Sequence, residues 1–111
     1  MVDIYGLECS TDGYEKIAKD ITESIVLGAK RIFIHVNLHN LTVLLRDERR
    51  LRFISCFANY YFEGIGLKLL AFVQGKGWLR DTNGTDLFPK LAKVLNRERK
   101  SVYLLGATDC V

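Results

Sequence analysis

The run Tyr60 to Phe62 passes without a break into Glu63-Gly64-Ile65-Gly66, and then into an apolar pattern at Leu67, Leu69, Leu70 and Phe72 or Val73 that ends at Gly75. A short β-rich run, a glycine turn carrying a carboxylate and helical periodicity in direct succession read as strand, acidic turn, helix. That order specifies an α/β unit, in which polar side chains at the carboxyl end of a strand line the ligand crevice. A second turn repeats the device. Asn83-Gly84-Thr85-Asp86 opens a helix whose apolar face is Leu87, Phe88, Leu91, Val94 and Leu95. A carboxylate beside the free N–H groups of a helix start is a recurrent way to build a polar site, so Glu63 and Arg80 lead the candidates.

The remaining pattern fills in the unit. Val2 to Leu7 reads as an edge strand or hairpin, and a helix follows with Ser10, Thr11 or Asp12 as N-cap, Tyr14, Ile17, Ala18, Ile21 and Ile25 on one face, and Gly28 as its stop. Arg31 to Val36 has the β-branched content of a buried parallel strand. Asn37 at its end either caps the helix from Leu38 to Leu45 or faces a ligand. A further helix from Asp47 to Ala58 turns Leu51, Ile54 and Cys56 to Ala58 inward, opposite Arg46, Arg49, Arg50 and Arg52. Gly75 to Thr82, with the lone Trp78, reads as a loop able to order on a ligand. Asn83 or Thr85 caps the last helix, Pro89 sits in its first turn, and Lys90, Lys93, Arg97, Arg99 and Lys100 line its outer side. Ser101 to Leu105 is a further buried-strand pattern, running into Gly106-Ala107-Thr108. The expected fold is a Rossmann-like open sheet, mostly parallel, with helices on both faces and incomplete at the C-terminus, as one domain over residues 1–111.

Composition limits what such a unit does. With 111 residues, 49% hydrophobic and one proline, the chain makes one globular domain with a modest core. Its open sheet edge favours self-association or a continuing segment, so the chain reads as the first half of something larger. A net charge of +3 does not select nucleic acid, and the arginine cluster reads as a solvated face before a phosphate or membrane contact. Cys9, Cys56 and Cys110 match neither a disulfide framework nor a zinc set. No leader or membrane-length apolar run is present, so a reducing, cytoplasmic setting is expected.

Four blocks in order, ITESIVLGAKRIFIHVN, FEGIGLKLLA, NGTDLFPKL and SVYLLG, resemble the WecG/TagA/CpsF glycosyltransferase family over nearly the whole chain. The resemblance implies an inverting, metal-independent transfer without a cofactor. A hexosyl, N-acetylmannosaminyl or uronic acid residue would pass from a nucleotide-diphosphate sugar to a lipid-linked acceptor in cell-surface polysaccharide assembly. The family's Pro-Asp-Gly-Ile-Gly block falls on Phe62 to Gly66, which puts Glu63 at the position of the general base, with Gly64 and Gly66 beside the substrate. A Thr-x-Asn segment falls on His35 to Asn37, carrying Asn37 over and adding His35 as a departure. Arg80 takes the place of an arginine that neutralises the leaving diphosphate, with Gly84, Thr85 and Asp86 on the same side. Family members continue through a second half and a membrane-associating tail, so this chain alone is expected to be inactive and to meet a membrane only through that missing part. The other reading is a catalytically inactive interaction module presenting Tyr60, Tyr61, Trp78 and the leucine-rich helix. A nucleotide-binding or receiver-like domain fares worst, for the glycine fingerprint, P-loop lysine and N-terminal acidic pair are all missing.

Overall fold

The computed structural model describes residues 1–106. β1 (Val2–Ile4) and β2 (Leu7–Ser10) form an antiparallel hairpin pairing Val2 with Cys9 and Ile4 with Leu7. Tyr5 at φ 51° and Gly6 at φ 84° give the doubly left-handed two-residue turn that matches strand twist. The Asp3 carboxylate accepts the Gly6 N–H at 3.3 Å. The chain then runs through α1 (Tyr14–Val26), β3 (Ile32–Val36), α2 (Leu38–Leu45), α3 (Glu48–Ser55), β4 (Ala58–Phe62), α4 (Ile65–Val73) and α5 (Gly84–Arg97). The sheet order is β1-β2-β4-β3, and β4 is parallel to both β2 and β3.

This is the expected Rossmann-like open sheet, mostly parallel and wound on both faces. On one face Ile34, Val36, Tyr60 and Phe62 pack with Leu41 of α2 and Leu67 and Ala71 of α4. On the other, Tyr61 and Phe33 pack with Ile17 and Ala18 of α1 and Leu87 and Leu91 of α5. Central β4 therefore buries successive residues Tyr60, Tyr61 and Phe62, the signature of a strand covered on both sides. A Cβ on Gly66 would lie 3.5 Å from a Leu38 methyl, ordinary van der Waals contact, so α4 faces Leu38 at the start of α2 there.

Several local expectations give way to tertiary context. The N-cap of α1 is Gly13, without a side-chain cap; Ser10 and Asp12 bond to each other at 2.7 Å instead. Ile25 lies at the end of α1 beyond the sheet and is exposed. The Arg31 to Val36 run is an edge strand on which only Val36 is fully buried. The helix expected from Asp47 to Ala58 is shorter, because Asp47 is its cap and Ala58 already pairs with Ile32 in the sheet. Cys56, expected inward, is exposed. Pro89 falls one turn deeper in α5 than expected, where its missing N–H leaves a helical carbonyl without its usual donor. Ser101 to Leu105 is not a strand: β-propensity becomes a strand only where a ladder partner meets it, and these residues stay exposed and unpaired among the described residues. Ala107, Thr108 and Cys110 lie outside the described residues.

Candidate active site

The strands end at one level. Ser10 pairs with Tyr61 and Val36 with Phe62, so the chain leaves β2 at Thr11–Asp12, β3 at Asn37 and β4 at Glu63 along a single rim. From β2 it turns to α1 on one face, and from adjacent β4 to α4 on the other. Ligands of open α/β sheets bind at such a topological switch point, here the crevice between the carboxyl ends of β2 and β4.

A hydrogen-bonded frame fixes the β4 wall of that crevice. The Glu63 N–H donates to the Val36 carbonyl at 2.9 Å, tying the acidic turn to β3. Gly64 has φ 87° and ψ 155°, a conformation that essentially only glycine adopts, and its N–H donates to Oδ1 of Asp81 at 3.0 Å. Oδ2 of Asp81 lies 3.8 Å from Nζ of Lys68, which in turn sits 5.8 Å from the Trp78 ring centre. The loop expected to swing is pinned at its end, for both the N–H and the hydroxyl of buried Thr82 donate to the Phe62 carbonyl, at 3.0 and 3.1 Å. Asp81, Lys68 and Thr82 escaped the sequence reading because their partners lie 13 to 20 residues away, and only the closed turn brings them together.

The other predicted residues divide. Oδ1 of Asn37 accepts the Asn40 N–H at 2.8 Å and so caps α2. His35 lies 6.0 Å from the Tyr61 ring, with its Nδ1 buried and without a hydrogen-bond partner among the described residues. Arg80 reaches across to α1, close enough that a Cβ on Gly13 would meet its guanidinium at 2.8 Å. It shares a cleft of about 350 Å³ with Gly13, Tyr14, Glu15, Lys16 and Lys90. Asn83 caps α5 through the Asp86 N–H at 2.9 Å, while the Asp86 carboxylate accepts from Asn83 Nδ2 at 3.0 Å and from the Tyr14 hydroxyl at 3.2 Å. Burial, reinforced by Asp86, holds the Tyr14 phenol above its ordinary pKa. Gly84 opens α5 and Thr85 is exposed beside it, with no hydrogen bond to its side chain among the described residues.

The carboxylates at this rim are thus unequal. Asp12, Asp81 and Asp86 each accept hydrogen bonds from neighbouring groups. Among the described residues, the Glu63 carboxylate enters neither a hydrogen bond nor an ion pair. No ion pair joins Glu63 to Arg80 there either; the Arg80 guanidinium lies instead beside Gly13 at the start of α1. The crevice is an open rim: larger cavities, of about 460 Å³ beside Asp12, Asp20 and Tyr61 and about 640 Å³ between α1 and α5, do not include Glu63. Burial and then the Asp20 and Asp12 charges push the Tyr61 phenol up to about 12, which keeps it neutral. Tyr60 and Tyr61, two of the aromatic residues expected on a contact surface, are buried in the sheet; Trp78 is exposed.

The family model described as glycosyl transferase WecG/TagA/CpsF matches residues 2–111, and the chain belongs to that family. No curated protein and no solved structure gave a match.

Proposed function

We propose that the crevice between β2 and β4 is a glycosyl-transfer site in which Glu63 is the general base and Arg80 faces the leaving nucleotide diphosphate. The observation that carries this reading is the uncommitted Glu63 carboxylate on a rim where Asp12, Asp81 and Asp86 are engaged. A base must be free to take a proton, and Glu63 has its backbone fixed and its oxygens unoccupied.

In an inverting transfer the acceptor hydroxyl attacks the anomeric carbon from the face opposite the diphosphate. The new C–O bond forms as the bond to the diphosphate breaks, and the hydroxyl proton passes to Glu63. A positioned base supplies roughly 10²–10⁴-fold. The departing diphosphate needs fixed positive charge, which in this reading comes from the Arg80 guanidinium, with Lys90 in the same cleft and the uncapped N–H groups of α1 beneath; Lys16 there is paired with Asp20, and Glu15 shares the cleft. The donor in this reading is a nucleotide-diphosphate hexose, N-acetylmannosamine or uronic acid, and the acceptor a lipid-linked sugar at the inner face of the membrane. No helix among the described residues is long and apolar enough to cross that membrane.

Titrating sugar nucleotides against the labelled chain tests the site, with amide shifts expected at Glu63, Arg80 and Thr85. Shifts confined to other surfaces would remove it. Turnover with a lipid-linked acceptor tests the base: Glu63→Gln is expected to lose about 10²–10⁴-fold with donor binding unchanged. Turnover of the variant equal to a measurable wild-type rate would refute Glu63 as base.

A further inference from the structure

We propose that the outer face of α3, with the N-terminal ends of β3 and β4, docks on an anionic lipid bilayer. α3 buries none of its residues fully, and beside it Phe53 is 72% and Phe57 46% exposed, their rings edge to face at 6.0 Å. Exposed Ile32 adjoins them, since its N–H donates to the Phe57 carbonyl at 3.0 Å. Exposed Lys30, Arg31, Arg46, Arg49, Arg50 and Arg52 belong to the same segments. Asp47 and Glu48 are the carboxylates there; they pair with Arg50 at 3.5 Å and Arg52 at 3.8 Å, and Asp47 is also committed as the cap of α3. Lys30, Arg31, Arg46 and Arg49 have no carboxylate in ion-pair range among the described residues. Six cations against two carboxylates give these segments +4 in a chain whose total is +3; Glu8, lining a cavity with Ser55, Ala58 and Asn59, is a carboxylate adjoining them. The basic charge is therefore concentrated in these segments, and the rest of the chain is close to neutral.

Charge and shape choose the occupant. A second copy would bring like charge against like charge. A bilayer surface carries the complementary charge, and apolar side chains ringed by cations enter its headgroup region while the cations hold the phosphates. Phe57 precedes β4 and Glu63 follows it, so docking leaves the crevice uncovered at the far end of a strand of roughly 16 Å.

Co-sedimentation with vesicles tests this without donor or acceptor sugar, so its result is separate from that for the transfer site. Binding is expected to phosphatidylglycerol-containing vesicles and not to pure phosphatidylcholine. It should disappear when salt rises from about 0.1 M to about 1 M and screening shortens from ~10 to ~3 Å. Arg49→Glu with Arg50→Glu should weaken it about tenfold or more, and Phe53→Ser several-fold, with circular dichroism unchanged. Lys93→Glu on α5 with Lys100→Glu just beyond its end should leave it intact. Equal binding to neutral vesicles, binding that survives the arginine reversal, tighter binding to a single-stranded oligonucleotide, or a dimer abolished by Phe53→Ser would each overturn the proposal.

Discussion

Replacing Asp81 with alanine removes the one side chain that both holds the Gly64 N–H and balances Lys68. The bond at 3.0 Å is part-buried and made to a carboxylate, a class that contributes about 1.5–3 kcal/mol. The ion pair at 3.8 Å joins side chains 16% and 33% exposed, and solvent holds its share below about 1 kcal/mol. Their sum, about 1.5–4 kcal/mol, is a large part of a typical 5–15 kcal/mol domain stability. It corresponds to a midpoint roughly 6–16 °C lower. Urea unfolding followed by circular dichroism measures it. Asp81→Asn keeps an acceptor for Gly64 and loses only the charge, so it should lose less than about 1.5 kcal/mol. Because the freed turn carries Glu63, displacement of about 1 Å should also lower turnover by about 10²-fold where turnover is measured. An Asp81→Ala loss under about 0.5 kcal/mol, or equal losses for the alanine and asparagine variants, would refute the assignment of Asp81 as the anchor of the turn.

Two further outcomes follow from backbone geometry and burial. Gly64→Ala should destabilise by about 1–3 kcal/mol although a Cβ there meets nothing within 4 Å, because φ 87° is the obstacle; Gly84→Ala, equally open but without a positive φ, should be neutral or gain about 0.4–1 kcal/mol. Urea midpoints in the reverse order would contradict this. Cys9 is pushed from 9.0 to about 11 by burial and then by Asp3, so the unfolded chain releases its proton first. The neutral thiol's contribution is complete below pH 9 and lost as pH rises through about 11, lowering stability by roughly 2–3 kcal/mol across that window. Cys9→Ala should flatten the unfolding profile there, and an unchanged slope would exclude Cys9 as its source.

The parts of the fold that were legible in the sequence are those whose cause is local. Val2 to Leu7 reads as an edge strand or hairpin, although the second strand, Leu7–Ser10, runs into residues that read as a helix cap; the strand–turn–helix follows from Phe62 through Leu67, and Asn83 is one of two candidate caps for α5. What the sequence hid depends on partners remote in the chain. RIFIHV and SVYLL look alike as patterns, yet the first pairs with β4 and the second meets no strand among the described residues. Asp12 was a plausible cap for α1 until Ser10 took its carboxylate. Thr82 looked like loop surface and is 2% exposed, because the Phe62 carbonyl at the end of a buried strand needs donors.

The same contrast decides which carboxylate at the rim is free for chemistry. Sequence spacing marked two acidic turns, with Glu63 ahead of Asp86 as a candidate, although the helix dipole at the start of α5 supports an anion at Asp86. The fold gives the two carboxylates different surroundings. Asp86 and Asp81 are occupied by donors on α1 and on the turn itself, and these bonds stabilise the geometry that leaves Glu63 unpaired. The additional methylene of a glutamate moves its oxygens by roughly 1 Å, a displacement that matters only against a rigid background. Here the background is rigid, since the Val36 carbonyl, Asp81 and the double donor Thr82 fix the backbone on both sides of Glu63. In the proposed site, the reach of this side chain, rather than motion of its turn, would therefore set how near its oxygens come to an acceptor hydroxyl.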